Sequence, residues 1–221
     1  MCCCVVKSRS ADHLTSNKLL NRRQSAYCKH YSTETALLYI HDHLINAIGS
    51  QKLSCLCLLD LSAAFDTIDH SILLTRLSSW FGIHGSVLNW FQSYLSSRSF
   101  HVRCNNTFSS LCTSSSGVPQ GSVLGPLLFI MYTTSLSTLI SSLFLSHHLY
   151  ADDTQLFTIT APLPPPSFSP NSITVILSTT TYLSLRSPAP NRSRTLLPVL
   201  LLKLLNAVTS LLSYALFIGS K

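Results

Sequence analysis

The chain has 221 residues, of which 46% are hydrophobic and only 10% charged, and its formal net charge is +7 at pH 7. An ordinary globular domain carries roughly 25% charged residues, so this chain is unusually apolar, and its length fits one domain or one and a half. The eight cysteines show no paired C-x-x-C spacing, which argues against a zinc site, and no signal peptide is visible. The basic surplus favours a polyanionic partner, but only modestly.

Apolar periodicity predicts four helices and three strands after an irregular, basic segment at 1–23. Ser32-Thr33-Glu34-Thr35 is typical of a helix start and Gly49 of a helix end, with apolar residues at helical spacing between them. The apolar run from Leu53 to Leu61 predicts a buried strand. The expected helices span about 33–48, 72–80, 86–96 and 124–143, and the expected strands 53–61, 145–150 and 154–159.

Two further segments carry turn signals. Phe100 to Phe108 predicts a hairpin about Asn105-Asn106. Ser116 to Pro126 is a loop punctuated by glycine and proline that leads into the last predicted helix. Such a loop offers backbone N–H groups and a favourable helix dipole to an anion, although alone the signal is weak.

The composition changes after Thr160. Residues 161–194 are rich in Pro, Ser and Thr and predict an extended linker. Residues 195–221 are rich in Leu and predict one isolated helix that docks weakly if at all. Deleting 161–221 is therefore expected to leave the rest of the chain no less stable.

The acidic residues are grouped. Of the eight in the chain, five lie in two short stretches: Asp60, Asp66, Asp69, Asp152 and Asp153. Tyr150-Ala151-Asp152-Asp153 lies between short apolar runs and predicts a β-hairpin turn. Two like charges there would repel each other unless they were bound to a cation. Mg²⁺ is commonly bound by one or two carboxylates together with substrate phosphates. An Asp-Asp pair alone is also compatible with a simple solvated turn.

Several motifs in order resemble the reverse transcriptase of non-LTR retrotransposons (long interspersed elements). They are Gln24-Ser25-Ala26-Tyr27 with Ser32 to Leu38, Leu58 to Ser71, Asn89-Trp90-Phe91 with Ser93-Tyr94-Leu95, Gly117 to Leu128, and Tyr150 to Leu156. The resemblance runs from about His13 to Thr160. It implies an α+β fold, a right-hand polymerase palm with partial fingers over 24–160, in which helices pack on one face of an antiparallel sheet.

The resemblance also implies an RNA-directed DNA polymerase that uses two Mg²⁺ ions, an RNA template, a DNA primer and deoxynucleoside triphosphates. It assigns the catalytic carboxylates to Asp60, Asp152 and Asp153 and places the Leu61 carbonyl near the second metal. In the same way, it makes Phe65 the aromatic that blocks a ribose 2′-hydroxyl, against the alternative of a core aromatic. Three more residues receive roles by resemblance: Gln120 and Gly121 at the incoming nucleotide and template, and Tyr150 near the primer end.

The chain departs from the family pattern in three respects. Upstream fingers sequence is missing, Cys28 stands where the family usually has Arg, and the family's downstream palm stretch is not recognisable in 161–221. A catalytically inactive relic of the same fold is therefore one alternative. A membrane protein anchored through residues 196–218 is another, although Lys203 is costly in such a span. Nucleus or cytoplasm is the location that the resemblance implies, and a membrane is the alternative.

Overall fold

The computed structural model describes residues 2–50, 54–61, 63–159 and 175–182, and these form an α+β fold. By internal contacts the chain divides into a unit of Met1–Asn21 with Ala63–Ser135, called here the helical unit, and a unit of Arg22–Ser62 with Leu136–Lys221, called the sheet unit. The helices are α1 (Cys2–Ser16), α2 (Thr33–Gly49), α3 (His70–Ser79), α4 (Gly85–Leu95) and α5 (Gly125–Ser142). The strands are β1 (Ser54–Asp60), β2 (Ser99–Phe100), β3 (Arg103–Cys104), β4 (Thr107–Phe108), β5 (Cys112–Thr113), β6 (Ser146–Tyr150), β7 (Asp153–Ile159) and β8 (Val175–Tyr182).

The sheet unit is built on a four-stranded sheet in the order β6-β7-β1-β8. The antiparallel pairing of β6, β7 and β1 agrees with the expected sheet. β8 is different, since it pairs with β1 in parallel and lies inside the segment 161–194 that the composition predicted as linker. That prediction is wrong at 175–182, where the backbone pairs with β1 as a strand. The predicted tail helix at 195–221 lies outside the described residues.

Helices cover both faces of this sheet rather than the single face expected. Successive side chains on a strand point to opposite faces, so the neighbours His147 and His148 on β6 face opposite ways. The ring of His148 lies 5.1 Å from the ring of Tyr39 on α2, whereas His147 Nε2 lies 2.6 Å from the hydroxyl of Ser137 on α5. Consecutive residues of both central strands are accordingly buried: Leu56 and Cys57 on β1, which is exposed again at Leu58, and residues 154–157 on β7.

The helical unit begins with α1, a helix in the segment that was predicted to be irregular. Only Ser10 and Leu14 of this helix are buried, so its sequence carries little amphipathic signal. Tertiary contacts fix it instead: Leu14 is fully buried, and His13 Nε2 donates to the carbonyl of Phe81 at 2.8 Å. The prediction failed because these contacts, and not periodicity, specify the helix.

Two loops of the helical unit are joined by backbone hydrogen bonds. Gly117 N–H donates to the Ile68 carbonyl at 2.7 Å, and Val118 N–H donates to the Phe65 carbonyl at 2.9 Å. Gly117 has φ +85°, and a Cβ there would lie 3.0 Å from the Asp66 carbonyl oxygen. Glycine is therefore required at 117, both for the left-handed backbone and for the close approach of the loops.

The hairpin predicted about Asn105-Asn106 is present in the helical unit. β3 and β4 pair antiparallel across these two residues, whose φ values are 43° and 64°. Positive φ at both central positions is the pattern of a type I′ turn, for which asparagine is well suited. β2 and β5, which flank this hairpin in the sequence, pair antiparallel with each other.

The membrane alternative gains no support from the part of the chain that the structure describes. In those residues, no helix combines the length and the apolar character that crossing a bilayer requires. The segment 196–218, on which that alternative rested, lies outside the described residues.

The position of β8 reverses the expectation about truncation. A chain ending at 159 would leave one edge of β1 unpaired, whereas a chain ending at 182 retains β8. We therefore expect the 1–159 chain to melt several degrees below the 1–182 chain, because the pairing of β8 with β1 is lost. Thermal unfolding followed by circular dichroism measures this difference, and equal melting temperatures would show that β8 adds nothing to stability.

Candidate active site

The register of the sheet brings the predicted carboxylates together. Asp60, the last residue of β1, is the cross-strand partner of Asp153, the first residue of β7, and Asp153 is also the partner of Tyr150 at the end of β6. Directly opposed residues on antiparallel strands project from the same face with their Cβ atoms roughly 4.5–5.5 Å apart. Tyr150, Asp153 and Asp60 therefore form one row across three strands, at the end of the sheet where the β6–β7 turn lies.

Asp152 belongs to the turn that joins β6 to β7. The turn consists of Ala151 and Asp152, and Ala151 has φ +54°, an uncommon conformation for a residue other than glycine. The Asp152 carbonyl accepts a hydrogen bond of 3.1 Å from the N–H of Leu61, the residue after Asp60. This bond joins the turn to the end of β1. The segment that carries Asp60 and Leu61 is therefore hydrogen-bonded directly to the segment that carries Asp152 and Asp153.

The carboxylates interact unfavourably with one another in the absence of a cation. Partial burial raises the pKa of Asp153, and the negative charges of Asp152 and Asp60 raise it further. Like charges at short range disfavour the ionised form. The site thus concentrates negative charge at the end of a rigid sheet.

The donor set fits a hard cation. Carboxylate and carbonyl oxygens are the ligands that Mg²⁺ prefers, and the pKa of Asp153 shows the mutual repulsion that a bound cation would relieve. Within the described ranges, however, no group of three or more His, Cys, Asp or Glu side chains is already arranged to hold a metal ion. The backbone brings the carboxylates together, and binding would require their side chains to turn toward a shared ion.

Two residues at this turn have no site role in the sequence analysis. Gln24 is buried, and its side chain contacts both peptide groups of Ala151. Tyr27 lies close enough to Asp152 and Tyr150 for their charges to raise the pKa of its phenol, although burial is the larger cause. Neither periodicity nor charge pattern predicts a site role for these two residues. The sequence indicates them only through the motif in which they resemble a known family.

Cys28 follows Tyr27 and has an ordinary structural environment. Its thiol donates to the Gln24 carbonyl at 3.4 Å, and burial raises the thiol pKa. A neutral thiol at this position cannot supply the positive charge of the Arg that the family usually places there.

The other predicted nucleotide-binding residues belong to the helical unit. The Phe65 ring stacks on the Phe129 ring with centroids 4.7 Å apart, a contact that the core-aromatic interpretation requires. Gln120 and Gly121 are exposed at the tip of the loop before α5, and Gly121 has φ +75°. Ser122 N–H donates to the Pro119 carbonyl at 3.1 Å, and the Ser122 hydroxyl accepts from Gly125 N–H at 3.0 Å at the start of α5.

The chain thus has a mixed α+β fold, with Asp60 and Asp153 paired at a strand end and Asp152 in the adjoining hairpin turn. A family model described as "Reverse transcriptase (RNA-dependent DNA polymerase)" matches residues 1–161. The match covers well over half of the chain, and the chain belongs to the reverse transcriptase family.

Similarity to curated proteins indicates which type of reverse transcriptase this is. The chain is 31% identical over 133 residues to the "Probable RNA-directed DNA polymerase from transposon BS" of Drosophila melanogaster, a match that covers 60% of this chain and 14% of that protein. It is 28% identical over 121 residues to the "RNA-directed DNA polymerase from mobile element jockey" of the same species, which covers 55% and 13%. The predicted reverse transcriptase domain of non-LTR type is confirmed, and the chain spans about one seventh of these relatives.

A solved structure agrees on the fold. Apo telomerase from Candida tropicalis, truncated from its C-terminal domain, superposes with a TM-score of 0.51 at 16% identity and covers 70% of this chain and 33% of that one. At this identity, the likeness concerns the fold alone.

Asp153 should lower stability in the absence of divalent cations. Its raised pKa means that the folded chain holds the proton to a higher pH than the unfolded chain, so stability falls as the pH rises through that window. We expect Asp153→Asn to increase the free energy of unfolding at pH 7 by less than about 1 kcal/mol, because the carboxylate is partly screened by solvent. The gain should shrink toward about pH 4.

Urea unfolding in the presence of EDTA at several pH values measures this effect. Asp42→Asn is the matched control, since Asp42 is an exposed carboxylate on α2 of the same unit and lies 3.9 Å from the ring of His41. A loss of stability in Asp153→Asn at pH 7 would contradict the repulsion described here.

Proposed function

We propose that this chain is the polymerase core of a reverse transcriptase, with a right-hand palm and partial fingers, and that it extends a DNA primer on an RNA template. The observation that carries the proposal is the register of Asp60 with Asp153, with Asp152 in the adjoining turn, in a chain of this family. Deoxynucleoside triphosphates are the expected substrates. The net charge of +7 is compatible with a nucleic-acid partner.

The residues of the sheet unit supply the groups for nucleotidyl transfer. Asp60, Asp152 and Asp153, with the Leu61 carbonyl, would hold two Mg²⁺ ions, and bound Mg²⁺ lowers the pKa of a coordinated hydroxyl and neutralises a leaving pyrophosphate. In the transfer, the primer 3′-hydroxyl would lose its proton to water, its oxygen would form a bond to the α-phosphorus, and the bond from that phosphorus to pyrophosphate would break. The carboxylates orient the reacting oxygens, which is the main protein contribution in phosphoryl-type transfer.

The remaining residues contribute to substrate choice. Tyr150 lies in the row of Asp153 and Asp60, and we assign it to the primer end. Phe65 is assigned to exclusion of the ribose 2′-hydroxyl, and Gln120 and Gly121 to the incoming nucleotide and template. The exposure of Gln120 and Gly121 leaves their polar groups accessible to such a ligand.

Replacing a metal-binding carboxylate tests the activity directly. We expect Asp152→Ala to reduce primer extension on an RNA template by on the order of 100-fold or more, because a ligand of the metal is lost. Asp42→Asn should extend as the unmodified chain does. Incorporation of labelled deoxynucleotides is the measurement, and equal incorporation by Asp152→Ala and the unmodified chain would remove the assignment and favour an inactive relic of the fold.

Sugar selectivity tests the role of Phe65. We expect Phe65→Ala to raise the ratio of ribonucleotide to deoxynucleotide incorporation by about 10- to 100-fold, because a steric barrier to one hydroxyl is removed. The ratio is measured rather than the rate, since loss of the Phe129 stack also costs stability. Phe91→Leu, a change at a fully buried position of the same unit, controls for that loss. An unchanged ratio would leave Phe65 as a core aromatic.

A further inference from the structure

The side chain of Gln24 is hydrogen-bonded to the backbone of the β6–β7 turn. Gln24 Oε1 accepts from the N–H of Ala151 at 3.0 Å, and Nε2 donates to the carbonyl of the same residue at 3.4 Å. Oε1 also accepts from Ala26 N–H at 3.0 Å. Both peptide groups of the first turn residue are thus held by one side chain, which is only 4% exposed.

The turn needs such support. Ala151 adopts φ +54°, which a residue with a Cβ occupies only when its surroundings impose it. Asp152 and Asp153 follow immediately, and their charges repel each other and that of Asp60. Besides the ladder hydrogen bonds of β6 and β7, the Leu61 N–H holds the Asp152 carbonyl, and the side chain of Gln24 holds the strained residue Ala151 itself.

Gln24 is itself fixed in place. The segment that carries it pairs in parallel with β6: Leu149 N–H donates to the Arg23 carbonyl at 2.8 Å, and Ser25 N–H donates to the Leu149 carbonyl at 3.0 Å. The buried Ser25 hydroxyl lies 2.7 Å from His148 Nε2, and His148 Nδ1 lies 2.9 Å from Gln155 Oε1. The side chain of Gln24 therefore acts from a rigid base.

We propose that Gln24 is a positioning residue, which holds the Ala151 peptide so that Asp152 and Asp153 stay aligned with Asp60 for a shared divalent cation. The inference rests on the carboxylate site of the proposed function. Gln24 touches the turn backbone and not the carboxylates, so it acts through Ala151. Its amide suits this task because one group both accepts from and donates to the same residue, which no ionised or apolar side chain of similar size does.

The test uses the full chain and two readouts that do not depend on polymerisation. Gln24→Met keeps the side-chain length and removes both polar atoms. We expect the Ala151 amide to exchange with solvent deuterium about tenfold faster or more, because a buried hydrogen bond is lost. We also expect Mn²⁺, used as the probe and followed by electron paramagnetic resonance, to bind about tenfold more weakly.

Ser137→Ala is the matched control. Ser137 lies on α5 in the same unit and is 9% exposed, and its hydroxyl contacts His147 at 2.6 Å, on the face of the sheet opposite His148. This variant should leave Mn²⁺ affinity within about twofold of the unmodified chain, whereas a merely structural effect of losing a buried hydrogen bond would appear in both variants. An equal fall in affinity in both would overturn the proposal.

The outcomes separate this proposal from the proposed function. Fast exchange of the Ala151 amide in the unmodified chain overturns the role of Gln24, even if the methionine variant does not fold. Unchanged Mn²⁺ affinity in a folded Gln24→Met also overturns it. If the unmodified chain binds no Mn²⁺, the metal site of the proposed function is wrong, and the Ala151 exchange rates alone then decide whether Gln24 holds the turn.

Discussion

The pairing of β1 with β7 is the constraint on which the candidate site depends, because it sets Asp60 opposite Asp153. Neither residue needs a special local conformation to reach this position; the register alone brings them together. A slip of one residue would send the two side chains to opposite faces of the sheet. The apolar residues that β1 and β7 bury on both faces oppose such a slip, so the hydrophobic core fixes the geometry of the charged site.

The charged turn is supported by buried groups that carry no charge. Burial lowers the pKa values of His147 and His148, which keeps both rings neutral near pH 7. His148 lies within hydrogen-bond distance of Ser25 and Gln155, while the amide of Gln24 binds the turn. A neutral polar network can orient the backbone without adding charge to a site that already contains three negatively charged carboxylates. Asp60, Asp152 and Asp153 thus lie at one end of the sheet, while the neutral polar groups of Ser25, His148 and Gln155 are buried.

Local sequence signals predicted most of this fold. The hairpin turn, the strand before Asp60 and the starts of α2 and α5 follow from short patterns of caps, glycines and apolar runs, and the structure has them within one or two residues. The failures share a cause: α1, β8 and the coverage of both sheet faces depend on partners distant in sequence. Leu14 and His13 stabilise α1 through tertiary contacts, and no periodic pattern encodes such contacts.

The site was predictable in type but not in its supporting contacts. The grouping of aspartates and the motif order identified Asp60, Asp152 and Asp153, since acidic residues are scarce in this chain. Gln24 could not be found in this way, because its role depends on a parallel pairing between its segment and β6 that leaves no periodic trace. A side chain that binds the backbone can be recognised only once the fold is known. A side chain that binds a ligand can also be recognised from its chemistry in the sequence.

The position of β1 in the sheet has a consequence for how the protein is made. Both of its neighbours, β7 and β8, lie in the last third of the chain, although β1 itself ends at Asp60. During synthesis, this apolar strand therefore has no strand partner until β7 has emerged, and such non-local pairing is slow to form. The three carboxylates can be brought together only after Asp153 has been made, and until then β1 is an unpaired apolar strand open to association with other chains.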